Sequence, residues 1–233
     1  MKVLSIGAHP DDAEILCAGT LAKFRKQGDE VFICHVCDGN KGSKIYSSEE
    51  LAKIRRIEAI ESAKVIGAGS IWAGLSDGEV VLDLTSRKKI IEVIRQTSPD
   101  LIITHSPNDY HTDHINTSRL VFEATYLAGL VLWDSEYPAP EKLPFLYYMD
   151  TIAGVNFAPD EYVDISETID TKIEMMMKMQ SQLGWLKEMH NCDAGEFIRT
   201  VAKFRGFQSG VSFAEAFTQQ KMYPQGLTRR ILP

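Results

Sequence analysis

The first half of the chain alternates between short apolar runs and longer segments in which apolar residues recur at helical spacing. The apolar runs are rich in Val and Ile, which is typical of parallel strands covered on both faces. They lie at 2–8, 30–37, 70–75 and 100–106, and the helical patterns lie at about 13–27, 48–66 and 85–97. This alternation predicts an α/β fold with right-handed crossovers and a Rossmann-like, doubly wound, mostly parallel sheet.

The helix predicted at 48–66 has the clearest start. Residues Ser47–Glu50 form a Ser-x-x-Glu capping box. Apolar residues then recur at three-residue steps, and we expect them to form one buried face of the helix. They are Leu51, Ile54, Ile57, Ile60 and Ala63.

The pattern changes after about residue 137. Several prolines between 138 and 159 punctuate a stretch that contains the run LPFLYYM, which predicts another strand. Helices are predicted at about 166–188 and near 193–205. We therefore predict a single domain over 1–233, with a Rossmann-like core at 1–136. The C-terminal portion, 137–233, is expected to pack over the ligand end of the sheet, to shape the pocket and to provide subunit contacts.

Composition and charge exclude several classes of function. The net charge of -7 and the lack of an extended basic cluster argue against a nucleic-acid partner, because such binding depends on Lys and Arg neutralising phosphates. No apolar stretch approaches the roughly 18 residues of a membrane span, and the apolar run within residues 1–7 is too short for a signal peptide. We expect no membrane partner and a cytoplasmic location. The 4 cysteines do not resemble a disulfide framework, and we interpret the Cys34-x-x-Cys37 pair as small buried strand residues.

Polar side chains cluster where this fold binds ligands. In a doubly wound sheet of order 3-2-1-4, ligands bind beyond the carboxyl ends of strands 1 and 4. The segment after the first predicted strand is Ala8–Glu14, and the segment after the fourth is His105–His114. Both segments are rich in histidines and carboxylates, so the sequence predicts a ligand site between them.

His9, Asp12 and His114 are the candidate metal ligands. Histidine nitrogen and aspartate oxygen are both good zinc ligands, and three protein ligands leave one position open for water, as in a catalytic site. The same set also accepts ferrous iron. The competing interpretations are structural: Asp11 or Asp12 caps a helix, and His111–His114 is a helix start with surface histidines.

Three neighbouring residues complete the predicted chemistry. Asp11 lies beside the ligands and is predicted to be the general base. His111 is predicted to stabilise the oxyanion or to protonate the leaving amine. Asp113 is predicted to orient the imidazole of His111, or to act as a partner of the metal ligands.

The segments AHPDDAE at 8–14 and HTDH at 111–114 resemble the LmbE/PIG-L superfamily of zinc-dependent de-N-acetylases. Weaker similarities run along the whole chain. They include a Gly-rich loop at 38–43, a helix motif from Arg55 to Gly67 and a loop at 75–78. Val163–Ser166 and Gly210–Phe217 look most like the bacillithiol-biosynthesis deacetylase branch.

The resemblance implies the same six site residues, with one zinc ion per chain. It adds Arg55 and Asp77 as sugar contacts, although Arg55 could instead pair with Glu58, and Asp77 could be a turn residue before Gly78. One departure concerns the late helix. Where the family often has His-x-Ser-Gln, this chain has Met179 in place of the histidine, which puts the recognised leaving group in doubt.

The expected activity is hydrolysis of the N-acetyl group of an N-acetylglucosamine-type conjugate. The alternatives are an amidase acting on a larger amide such as a thiol conjugate, a metal phosphoesterase, and a non-catalytic sugar-binding module. A phosphoesterase commonly uses two ions and needs more bridging carboxylates than the sequence offers. The expected partner is a small amino-sugar conjugate, and the apolar surface of the C-terminal third is compatible with a homo-oligomer.

Overall fold

The computed structural model describes residues 1–223, 225 and 231–233. Its first half alternates strands and helices as predicted, and its second half adds three strands and three helices. The elements of the first half are β1 (Lys2–Gly7), α1 (Asp12–Leu16), α2 (Ala18–Lys26), β2 (Glu30–Cys37), α3 (Ser48–Val65), β3 (Gly69–Leu75), α4 (Leu84–Thr97), β4 (Leu101–Thr104) and α5 (Thr112–Leu127). Those of the second half are β5 (Phe145–Met149), a 3-10 turn (Ile152–Gly154), β6 (Glu161–Asp164), α6 (Ile169–Met176), α7 (Gln180–His190), α8 (Ala194–Ser209) and β7 (Ala214–Gln220).

All seven strands form one sheet in the order β3-β2-β1-β4-β5-β7-β6. The strands from β3 to β5 are parallel, and β7 is antiparallel to both β5 and β6. The α/β fold with a mostly parallel, doubly wound sheet is therefore confirmed, including the order 3-2-1-4. The C-terminal portion extends this sheet in addition to covering its ligand end.

Two apolar clusters cover the two faces of the sheet, as continuous apolar strands require. Side chains alternate along β1, so that Val3 joins one cluster while Leu4 and Ile6 join the other. Cys34 and Cys37 are buried free cysteines in the second cluster, in agreement with their interpretation as core residues. Among the helices of the described residues, none combines the length and apolarity needed to cross a membrane.

Helix α3 begins with the predicted capping box. The Ser47 side chain accepts from the Glu50 backbone N–H, and Glu50 Oε2 accepts from the Ser47 backbone N–H at 3.0 Å. The predicted buried face is only partly correct, since Ile57 is 64% exposed and Ile60 is 36% exposed. Three-residue steps rotate by about 60° each against the 3.6-residue turn, so a row built from them leaves the core within two turns.

Two predicted helices are each divided into two. The first breaks at Cys17 into α1 and α2, and the late helix breaks around Met177–Met179 into α6 and α7. At the first break, both oxygens of the distant Glu215 accept the backbone N–H groups of Gly19 and Thr20. The carboxylate of the last described strand thus satisfies the free backbone N–H groups at the start of α2. The local apolar periodicity cannot indicate a contact with so distant a residue.

Candidate metal and catalytic site

The loops after β1 and β4 lie side by side. These two strands pair in parallel, from Val3 with Leu101 to Ile6 with Thr104. Their carboxyl ends, and the loops that follow them, therefore lie on the same side of the sheet. The first loop leads into α1 and carries His9, Asp11 and Asp12. The second loop leads into α5 and carries His111, with Asp113 and His114 following in the first turn of that helix.

Asp12 lies between His9 and His114. Its Oδ2 is 3.5 Å from His9 Nδ1, and its Oδ1 is 3.3 Å from His114 Nε2. A tetrahedral zinc site with bonds of 2.0–2.2 Å places neighbouring ligand atoms roughly 3.3–3.5 Å apart. Each histidine therefore lies at such a separation from one of the two oxygens of Asp12, and the donor types suit a divalent metal.

The other nitrogen of each histidine faces a carboxylate. His114 Nδ1 is 3.0 Å from Asp109 Oδ2, and His9 Nε2 is 3.0 Å from Asp113 Oδ2. Metal-ligating histidines commonly donate their second N–H in this way, which fixes the tautomer and the ring orientation. Each imidazole is thus held with its free nitrogen toward Asp12.

His105 is a buried histidine of this site that sequence analysis did not single out. Its Nε2 accepts the Ala8 backbone N–H at 2.9 Å and lies 3.0 Å from Asp12 Oδ2. Burial, with the neighbouring His114, lowers its pKa to about 4. Its position directly after β4, where this fold binds ligands, is the sequence feature that indicates a place in the site.

Among the described residues, ligand atoms lying within 4.8 Å of one another form three groups. These groups are His9 with His111 and His114, Asp12 with His105 and His114, and His9 with Cys37 and Asp77. The first two groups share His114, and His9 and Asp12 each belong to one of them, but none of the three groups contains His9, Asp12 and His114 together. The metal-binding potential of the His and Asp side chains at this edge of the sheet is therefore present, whichever of them bind directly.

Asp11 has an unusual backbone conformation. Its φ is 137°, a region that side chains other than glycine rarely adopt, and the residue is only 5% exposed. It stands at the N-cap position of α1, yet its side chain makes no capping hydrogen bond. Burial, followed by the charge of Asp12, raises its pKa to about 7. The capping interpretation of Asp11 therefore does not hold.

His111 is the N-cap residue of α5, and its ring is oriented by the backbone. The Asp113 backbone N–H donates to His111 Nδ1 at 3.2 Å, so the proton of a neutral ring lies on Nε2. Burial and the neighbouring His114 lower the pKa of His111, which favours that neutral form. The Asp113 carboxylate contacts His9 instead of His111, and it also accepts the Gly78 N–H at 2.6 Å. Of the two predicted contacts of Asp113, the structure has the one with a predicted metal ligand, because the loop after β3 holds its carboxylate toward His9.

A cavity of about 550 Å³ opens over these side chains. Arg55 and Asp77 both line it, together with Lys41 and Gly42 of the loop after β2. Arg55 is only 3% exposed and donates through Nη2 to Gly42 O and to Gln182. Asp77 accepts the backbone N–H groups of Gly39 and Lys41 at 2.9 and 3.2 Å, so it also organises this loop.

Met179, which replaces the family's late histidine, is 1% exposed and belongs to the apolar core. Gln182 of the same motif lines the cavity and contacts Arg55. The motif therefore contributes its glutamine to the site, while its first position contributes packing.

The family model described as "PIG-L: GlcNAc-PI de-N-acetylase" matches residues 4–125. The mycothiol S-conjugate amidase of Streptomyces coelicolor is 26% identical over 53% of this chain and 51% of its own length. The 1D-myo-inositol 2-acetamido-2-deoxy-alpha-D-glucopyranoside deacetylase of Segniliparus rotundus is 29% identical over 63% and 57%. The chain thus spans little more than half the length of these two curated relatives. The 4-oxalmesaconate hydratase of Pseudomonas putida is 25% identical over 97% of this chain and 88% of its own length.

Two solved structures share the fold over almost the whole chain. The N,N'-diacetylchitobiose deacetylase from Pyrococcus horikoshii has a TM-score of 0.82 at 28% identity, covering 97% of this chain and 87% of its own. The 4-carboxy-2-hydroxymuconate hydratase from P. putida has a TM-score of 0.83 at 21% identity, covering 99% of both chains.

Proposed function

The chain belongs to the PIG-L family of GlcNAc-PI de-N-acetylases, and from this membership we propose that it hydrolyses the N-acetyl group of an N-acetylglucosamine-type conjugate. The products are acetate and a free amine. The observation that carries the proposal is the buried, strained Asp11 beside two histidines whose free nitrogens face Asp12. A site that only held a metal would need no such base.

We propose one zinc ion per chain, held by His9, Asp12 and His114, although the donor set also accepts ferrous iron. When bound, such an ion acidifies water and polarises a carbonyl oxygen. His105 lies against Asp12 Oδ2 and forms, with Asp12 and His114, a second set of candidate ligand atoms.

Asp11 is proposed to take the proton of the attacking water onto its carboxylate. In the metal-free protein, burial and the charge of Asp12 raise the pKa of this carboxyl to about 7, which makes it more basic than an ordinary aspartate. The neutral His111 presents its Nε2–H to the oxygen that gains charge in the tetrahedral intermediate, or to the leaving amine. Arg55 and Asp77, which line the cavity, are proposed to bind the sugar.

The substrate class follows the names of the relatives only in general terms. They act on an inositol conjugate, a mycothiol conjugate and a chitobiose. An amidase acting on a thiol conjugate is therefore a close variant of the same proposal. The bacillithiol branch stays a prediction from sequence, as does a homo-oligomer.

A hydratase is the second candidate, because the hydratase relative matches 97% of this chain. The same base would activate water for addition to a carbon–carbon double bond. The cavity is lined by Lys41, Arg55 and three histidines as well as by four aspartates, so its charge does not separate the two candidates. The family model that matches residues 4–125 favours the deacetylase.

The decisive test measures metal content and acetate release from the same purified protein. We expect about one zinc or iron per chain, and acetate from N-acetylglucosamine, its inositol or malate conjugates, or diacetylchitobiose. A metal content near two per chain would favour a phosphoesterase. Hydration of an unsaturated dicarboxylate without acetate release would favour the hydratase, and sugar binding without turnover would favour a binding module.

A further inference from the structure

We propose that the natural substrate carries an apolar group attached to its amide-bearing sugar, and that one wall of the cavity binds this group. The wall consists of Ile152, Trp185, Leu186 and Phe197, and we call it the C-terminal wall. The inference rests on the proposed function and specifies the substrate of that same site. The apolar group is either the aglycone or an acyl chain longer than acetyl, and the experiment below separates the two.

The C-terminal wall is built from three elements that lie outside the Rossmann-like core. Ile152 lies in the 3-10 turn, Trp185 and Leu186 lie in α7, and Phe197 lies in α8. All four side chains are half-buried. Leu186 and Phe197 pack against the apolar core with part of their surface, which holds them in place while another part faces the cavity. Trp185 also lines a smaller cavity of about 260 Å³.

The cations of the cavity are already engaged. Among the described residues that line it, the lysines and arginines are Lys41 and Arg55. Lys41 pairs with Glu79 at 2.5 Å, and Arg55 donates to Gly42 O and Gln182. An anionic group on the substrate would therefore compete with the bonds of the buried Arg55, whereas the pair of Lys41 and Glu79 is exposed and contributes little.

The size of the cavity leaves room for such a group. At about 550 Å³ it falls within the range of sites that enclose drug-sized ligands, which is larger than an amino sugar alone requires. A free sugar would leave the C-terminal wall in contact with water. Each substrate methylene buried there increases binding by about fourfold, so a short alkyl or aryl group gives at least a tenfold gain.

The experiment compares kcat/KM across two series of substrates with the metal-loaded protein. One series holds the N-acetyl group constant and varies the aglycone, from none to phenyl and hexyl, with malate and inositol phosphate as anionic members. The other holds glucosamine constant and extends the acyl chain from acetyl to hexanoyl. We expect at least one apolar member to exceed N-acetylglucosamine by tenfold or more, and the responding series identifies which group is apolar.

Two variants on the same helix test whether the C-terminal wall is responsible. Phe197→Ala should reduce the ratio of kcat/KM for the preferred apolar substrate over N-acetylglucosamine by about tenfold. Phe207→Ala removes a phenylalanine of α8 that lies outside this cavity and is 75% exposed, so that ratio should not change. Trp185→Ala provides a second measurement if Phe197→Ala fails to fold.

The outcomes separate this inference from the proposed function. Acetate release with no preference for apolar members, or with a preference for the anionic ones, would overturn the inference and leave the deacetylase proposal intact. A preference that survives both wall variants would overturn the assignment to the C-terminal wall. Absence of hydrolysis in both series would overturn the proposed function and the inference together.

Discussion

Asp11 adopts a backbone conformation that a glycine would adopt without strain, and it is buried beside the charge of Asp12. A side chain held in such a region costs on the order of 1–3 kcal/mol. Burial of its carboxylate adds to that cost, as the raised pKa of about 7 shows. A residue kept at the expense of stability is expected to serve function.

Replacing Asp11 by glycine should therefore separate stability from activity. We expect Asp11→Gly to increase the free energy of unfolding by about 1 kcal/mol, because the strain and the buried carboxylate are both removed. Acetate release should fall by about 10²–10⁴-fold with the loss of the base. Urea denaturation and an acetate assay measure the two effects.

Asp11→Asn is the control, because it removes the base and keeps the strained backbone. Its activity should fall as in the glycine variant, with a smaller gain in stability. Full activity in either variant would contradict the role of Asp11 as base.

Asp109 holds the His114 ring through Nδ1, and it gave no distinct signal in the sequence. Asp109→Asn should weaken metal binding by about 10–100-fold, because the amide is a poorer acceptor and no longer fixes the ring as firmly. Competition with a chromogenic chelator measures this change. The matched control is Asp134→Asn, an exposed aspartate in the segment after α5 that should bind metal as the wild type does. Equal metal affinity for both variants would show that Asp109 does not support a ligand.

The sequence identified the residues of the site better than their contacts. His9, Asp11 and Asp12 could be predicted because each follows a strand whose carboxyl end faces ligands. The partner of His114 could not, since Asp109 differs from other nearby carboxylates only in how the loop after β4 folds. The hydrogen bond from Gly78 to Asp113 depends on a third strand and has no local sequence pattern.

At the scale of elements, Glu215 of β7 connects the last described strand to the first turn of α2. Its two oxygens accept the N–H groups of Gly19 and Thr20, and Lys172 of α6 pairs with it in the interior. The start of α2 directly follows α1, which contains Asp12. The carboxylate therefore fixes the position of α1 and α2 relative to the C-terminal strands.

Removing Glu215 should be strongly destabilising. Glu215→Ala leaves the buried Lys172 ammonium uncompensated and two backbone donors unsatisfied, and we expect a loss of about 3–5 kcal/mol in unfolding free energy. The exposed pair of Glu49 and Lys53 provides the control, since Glu49→Ala should change stability by less than about 0.5 kcal/mol. A double variant, Lys172→Met with Glu215→Gln, should recover part of the loss. If Glu215→Ala melted in urea like Glu49→Ala, the proposed connection would be absent.

The elements show the same division between local and distant causes. The parallel strands and their order could be predicted from apolar runs and the handedness of crossovers, and the α3 capping box needs only four consecutive residues. The break at Cys17 depends on Glu215, almost two hundred residues further along the chain. The further extension of the sheet by β7 and β6 also rests on antiparallel pairings that no local sequence pattern indicates.

At the scale of the whole molecule, the proposed metal joins parts of the chain that are far apart. His9 follows β1 and His114 lies in α5, and the two are brought together only when the sheet has formed. A metal bound to such a set stabilises the folded state but not the unfolded chain. Zinc at 100 times its dissociation constant should add about 2.7 kcal/mol. For a chain of this size the expected rise in Tm is roughly 5–10 °C, and a chelator should reverse it.

At a fixed zinc concentration, the rise in Tm should be larger at pH 8 than at pH 6. Burial lowers the pKa of His114, but Asp12 and Asp109 outweigh it and raise the pKa to about 9, so metal binding must displace a proton. A raised histidine pKa stabilises the metal-free fold fully below about 6.5, and this contribution is lost as pH rises toward 9. The metal-free protein therefore loses stability over the same interval in which metal binds more tightly. Scanning calorimetry with and without zinc at both pH values measures the difference. His114→Ala should show no rise, whereas Asp11→Asn, which keeps the three ligands, should still show it; an equal rise in both variants would place the metal elsewhere.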